Sequence, residues 1–103
     1  MSEKSLMDAI LVAVTKLPGA MFWRNNTGLL FTKRGTAVRA SIPGAPDIIG
    51  IYKGRFVGFE VKTDKGRQEV SQERFQASCE KAGGIYAVVR SVDDALSVLA
   101  SIT

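Results

Sequence analysis

Three residues stand out for the chemistry their types and spacing allow: Asp47, then Glu60 and Lys62. Along an extended strand side chains alternate, so residues 60 and 62 share one face. Val57, Phe59 and Val61 then share the other face and read as core. Two charges in the middle of an otherwise apolar strand are costly unless they are paired or used. The pattern predicts a hairpin, with residues 47–52 as one strand, Lys53-Gly54 as the tight turn and residues 55–62 as the partner. Counting outward from that turn sets residue 47 beside residue 60, so two carboxylates converge. Gly58, on the same face, is expected to leave open space beside them.

Converging carboxylates suit a hard cation, because Mg²⁺ takes oxygen ligands and is commonly held by one or two carboxylates plus substrate phosphate. Lys62 would then orient the attacking water or stabilise charge developing on the phosphate. The competing reading of Glu60 and Lys62 is an exposed ion pair, which is common and contributes little. An isolated E-x-K supports no more than that, and Pro46-Asp47 at the head of the paired strand shifts the balance towards a site. Composition removes most other chemistry. There is no histidine and only one cysteine, Cys79, which excludes a disulfide framework, a Cys/His zinc site and a Ser-His-Asp triad.

Lys and Arg outnumber Asp and Glu by 14 to 10, for a net charge of +4. Between Asp8 and Asp47 there is no acid, while Lys16, Arg24, Lys33, Arg34 and Arg39 lie in that interval. A one-sided basic segment points to a polyanion partner, nucleic acid first, and otherwise to a merely soluble basic surface.

The remaining elements must position these residues. Leu6, Ile10, Val14 and Leu17 predict a helix over 3–17, capped by Ser2 and stopped by Leu17-Pro18-Gly19. The centre of its apolar face passes through Glu3, and Asp8 falls on the solvated side. A short strand over 21–24 and a turn over 25–28 follow. A second strand pair is then expected, over 29–32 and 38–42, with Lys33-Arg34-Gly35 as a basic tip. Residues 63–70 read as a polar loop. Residues 71–83 read as a helix with Phe75, Cys79 and Ala82 on one face, stopped by Gly83-Gly84. The continuous apolar run 85–89 is typical of a buried central strand, and Ser91 opens a last helix with Asp94 in the capping-box position. This order indicates an α+β fold, an α/β sandwich, and a length of 103 residues suits a single domain. No apolar run approaches the ~20 residues of a membrane span. The first ten residues lack the form of a secretory signal, so an intracellular protein is expected.

Pro46-Asp47, followed thirteen residues later by Glu60-Val61-Lys62, resembles the PD-(D/E)xK nuclease signature. The fuller set is more specific. Arg24-Asn25-Asn26-Thr27-Gly28, Gly44-Ala45-Pro46-Asp47-Ile48-Ile49-Gly50, Phe59-Glu60-Val61-Lys62, Gln72 with Phe75, and Gly83-Gly84 resemble the VRR-NUC (virus-type replication-repair nuclease) family over nearly the whole chain. The resemblance implies a restriction-endonuclease-like αβββαβ core, with a mixed central sheet flanked by helices. It implies Mg²⁺ or Mn²⁺ held by Asp47, Glu60 and the Val61 carbonyl, with Lys62 as catalytic lysine. Glu3 matches the family's acidic or amide residue on the first helix, and Gln72 matches its glutamine on the helix after the lysine. It further implies a stand-alone member, of phage or bacterial origin and cytoplasmic, acting as a homodimer on branched DNA such as four-way junctions. In that setting Arg24, Lys33, Arg34, Arg39, Lys65 and Arg67 would bind phosphates flanking the cut. The alternatives are a non-catalytic nucleic-acid-binding module on the same fold, or a structural partner whose acids are surface pairs.

Overall fold

The computed structural model describes residues 1–26, 29–39 and 42–102; the side chains of Leu29 and Arg39 are outside that description, as are Thr27 and Gly28 of the expected turn. Helix α1 (Glu3–Thr15) starts where Ser2 Oγ accepts the Ser5 amide at 3.1 Å. It ends at Thr15, two residues short of the expected Leu17, with Lys16 as its C-cap ahead of the Pro18-Gly19 turn. Asp8 is exposed and pairs with Lys4 at 3.4 Å, as the helical spacing required. Leu6, Met7, Ile10 and Val14 form its buried stripe. Burying such side chains contributes roughly 1.5–3 kcal/mol each.

A four-stranded sheet in the order β1-β4-β5-β6 receives that stripe, where β1 is Ala20–Arg24, β4 is Ile48–Tyr52, β5 is Arg55–Val61 and β6 is Ile85–Val89. β1, β4 and β5 run antiparallel, with Ile48 opposite Phe59 and Tyr52 opposite Arg55. β6 pairs parallel to β5, so the sheet is mixed. The expected central position of residues 85–89 is corrected here, because β6 is an edge strand. Its continuous apolar run is explained by helices packing on it, α2 (Val70–Lys81) on one side and α3 (Val92–Ala100) on the other. The capping of α3 holds, with Ser91 Oγ accepting the Asp94 amide at 3.0 Å, although the Asp94 carboxylate takes the Arg90 amide rather than that of Ser91.

α1 and α3 pack together over the inner face, where Phe22, Ile48, Val57, Phe59, Val61, Val89 and Leu99 make the core. α2 covers the outer face at the β6 side. It buries none of its own residues fully, so the expected Phe75, Cys79 and Ala82 face is half-buried at best. Cys79 is therefore a rim residue against Gly84 rather than a core one, and burial still raises its thiol pKa. The second strand pair exists as β2 (Leu29–Phe31) and β3 (Ala37–Arg39), forming a separate two-stranded sheet; Ala40 and Ser41 of the expected 38–42 strand lie outside the described residues. Among the described residues no helix is long and apolar enough to cross a membrane.

Candidate active site

The hairpin register carries one step past Ile48 and Phe59, which sets Asp47 opposite Glu60 as the turn counting required. Several contacts hold Asp47 there. Its Oδ2 accepts the Val61 amide at 2.9 Å. Asn25, just after β1, donates its own amide to the Asp47 carbonyl at 2.7 Å and its side-chain Nδ2 to the Pro46 carbonyl at 3.1 Å. Asn25 is thus more than a turn residue. The open space expected beside Gly58 is absent: Pro46 is fully buried there, and a Cβ at 58 would sit 2.5 Å from Pro46 Cγ. Gly44, at φ +81°, presses against the Ser71 carbonyl in the first turn of α2. Residues 44–47 are therefore wedged between α2 and β5, and this explains physically why Gly, Pro and Gly stand where they do.

Glu60 is only 4% exposed, one residue before the end of β5. Its Oε2 accepts Gln72 Nε2 at 2.8 Å and lies 3.7 Å from Lys62 Nζ. Its Oε1 is buried with no hydrogen-bond partner. Burial, then the charge of Asp47, pushes the Glu60 carboxyl up to about 8; Lys62 opposes this, and the charge of Glu3 adds least. A buried carboxylate oxygen without a donor costs free energy. A second carboxylate alongside worsens that cost by like-charge repulsion. Both penalties vanish if a cation sits between the two acids, so this donor set fits a hard divalent metal.

The other expected site residues fall into two groups. Gln72 belongs to the cluster, because besides holding Glu60 it accepts the Glu69 amide at 2.8 Å and so caps α2. Val61 turns its side chain into the core and can meet the site only through its main chain. Glu3 lies in the first turn of α1 and is exposed; its charge reaches Glu60, but among the described residues no group of three or more acidic, histidine or cysteine side chains is gathered around a metal position. Arg24 ends β1 and is exposed, Lys33 and Arg34 occupy the β2–β3 tip, and Lys65 and Arg67 are exposed in the loop after Lys62. Arg39 lies in β3, with its side chain outside the described residues.

One contributor was not singled out from sequence. Arg90 Nη1 donates to the carbonyls of Thr63, at 2.6 Å, and Gly66, at 2.7 Å. That closes the 63–66 turn onto the Lys62 stem, where a Cβ at Gly66 would stand 3.2 Å from Lys62 Cβ and Cδ. No motif marks Arg90; it follows an edge strand and lies 24 or more residues from its partners. Tyr86 packs its ring 5.8 Å from that of Phe75, and its buried hydroxyl faces Gln68 without closing a hydrogen bond of normal geometry. Burial, then the charge of Glu60, raises the pKa of that hydroxyl.

No family model matches the sequence, and no curated protein matches it. Among solved structures, one described as "VRR_NUC domain" is similar over 98% of this chain and 97% of its own length, with a TM-score of 0.67 and 20% sequence identity. Helix order, mixed sheet and that match together establish that this chain has the fold of a VRR_NUC domain.

Proposed function

We propose that this protein is a divalent-metal-dependent nuclease of the VRR-NUC family, hydrolysing phosphodiester bonds in DNA. The observation that carries the reading is the pairing of half-buried Asp47 with buried Glu60, with an unpartnered Glu60 oxygen and Lys62 Nζ 3.7 Å from the other. Asp47, Glu60 and the Val61 carbonyl would hold Mg²⁺ or Mn²⁺, and Glu3 on α1 adds its negative charge from outside that group. When bound, such an ion supplies Lewis-acid polarisation of the phosphoryl oxygen and a lowered pKa for water. Lys62 holds its ammonium beside the pair, where it can donate to a phosphate oxygen as negative charge develops there. Gln72 fixes the Glu60 carboxylate, and Asn25 and Pro46 fix Asp47, so the acids need little reorganisation.

The preferred substrate in this reading is branched DNA, such as a four-way junction, cut by a homodimer whose two sites are related by a two-fold axis. Support for a dimer comes from the outer sheet face that α2 leaves bare. Met21 (64% exposed), Trp23, Ile51 and Phe56 lie side by side there across β1, β4 and β5. A contiguous exposed apolar patch of this kind marks an interaction surface.

The test compares wild type with Glu60→Gln on labelled four-way junction, duplex and single-stranded DNA, each with Mg²⁺, Mn²⁺ or EDTA. Metal-dependent cleavage by wild type alone, with DNA binding kept by the variant, is the expected result. Equal cleavage by the variant removes the site assignment. Binding without cleavage under every metal leaves a nucleic-acid-binding module instead.

A further inference from the structure

The β2–β3 hairpin forms a sheet of its own, and among the described residues no other element packs closely against it. A two-stranded hairpin alone in water is marginal. This one also exposes apolar side chains, Phe31 at 70% and Leu30 at 51%, with Val38 opposite Leu30. Its tip is nevertheless well ordered by hydrogen bonds. Thr32 and Thr36 pair at 2.9 Å, Gly35 donates to the Thr32 carbonyl at 2.8 Å, and the Thr36 amide reaches Thr32 Oγ1 at 3.1 Å. That turn presents Lys33 and Arg34, and among the described residues neither has an ion-pair or hydrogen-bond partner.

Charge indicates what covers the arm. Residues 29–39 carry Lys33, Arg34 and Arg39 and no acid. On α2 and its cap, Glu69, Glu73 and Glu80 outnumber Arg74 and Lys81. The arm, not α2, is therefore the face that attracts a polyanion. The described residues that flank the arm in sequence touch the candidate active site: Asn25 holds Asp47, and Gly44 presses against Ser71, next to Gln72. A two-stranded ribbon fits the major groove of B-DNA.

We propose that this hairpin is a DNA-gripping arm that lies in the duplex groove flanking the cut, with Lys33 and Arg34 on backbone phosphates. Strand geometry gives the arm a reach of about 15 Å, or roughly half a helical turn of DNA. Leu30, Phe31 and Val38 meet sugar and base edges in the groove. The position of the cut rests on the nuclease reading above, whereas the grip itself does not.

The experiment measures affinity for a labelled duplex three helical turns long, by fluorescence anisotropy in EDTA, across about 50 to 200 mM salt. Wild type, the double variant Lys33→Ala/Arg34→Ala, and Lys16→Ala at the far end of α1 are compared. Light scattering records the oligomeric state, and thermal melting confirms folding. The double variant is expected to lose about 2 from the slope of log affinity against log salt, at ~0.9 per phosphate contact, while Lys16→Ala keeps the wild-type slope. An unchanged slope in the folded double variant overturns the proposal. So does a Phe31→Ser variant that breaks a dimer while keeping the wild-type slope, which would make the arm a contact between copies. A reduced slope in a protein that cuts nothing leaves the arm standing and removes the nuclease reading. Cleavage by a protein whose slope does not change does the reverse.

Discussion

Glu60→Gln should make the metal-free protein more stable, not less, and the effect should depend on pH. The Glu60 carboxyl moves from 4.5 in the unfolded chain to about 8 in the fold. At about 1.4 kcal/mol per pK unit, keeping it ionised in the fold costs roughly 5 kcal/mol. Relaxation and water entry reduce this, so about 2–3 kcal/mol is the working figure. Because the folded value is raised, the stability is fully present below pH 4.5 and is lost as the pH rises through about 8. Glutamine keeps the shape, can still accept from Gln72, and carries no charge to repel Asp47. The variant loses its attraction to Lys62, which is the smaller effect here. For a domain of this size the difference corresponds to a Tm higher by roughly 10 °C at pH 8. Thermal melts followed by circular dichroism, at pH 5 and pH 8, with EDTA or Mg²⁺, measure it. The gap between variant and wild type should open between those pH values in EDTA, and Mg²⁺ should narrow it by stabilising wild type alone. A variant that melts below wild type at pH 8, or a gap independent of pH, would refute the idea that Glu60 is a strained carboxylate awaiting a cation.

Three further outcomes follow from particular contacts. Gly58→Ala drives a methyl into Pro46 Cγ and should destabilise the fold by about 1–3 kcal/mol; by displacing Asp47 it should also abolish the Mg²⁺-dependent rise in Tm. Gln72→Ala removes both the hold on Glu60 and the cap of α2, so about 1–2 kcal/mol of stability should go in urea unfolding, and cleavage should slow with little change in DNA affinity. Arg90→Ala should lower kcat more than it raises KM, because the freed 63–66 turn no longer packs on Lys62. Partial recovery with added guanidinium would identify the clamp, whereas equal losses in kcat and stability with no recovery would make Arg90 merely structural.

Much of this molecule was determined locally, by the sequence itself. Alternation along 55–62 and the tight turn at Lys53-Gly54 set which side chains share a face and which residue opposes which, so Asp47 and Glu60 had to meet. The helical period did the same for α1, and Ser2 and Ser91 capped their helices through hydrogen bonds spanning three residues. What local pattern does not encode is which element covers which. The run 85–89 reads the same whether a strand is central or is an edge strand sandwiched by helices, because burial on both faces produces the same composition. Gly58 reads as open space until Pro46, twelve residues away in the chain, is seen to fill it. Gln72 is marked by the family resemblance, but its hydrogen bond to Glu60 exists only because α2 lies over β5. Arg90 reaches carbonyls 24 and 27 residues earlier, and backbone acceptors carry no sequence signature at all. The pair of acids was written into one hairpin; the raised proton affinity of Glu60 and the supports around it arose only when separate segments closed over that hairpin and excluded water.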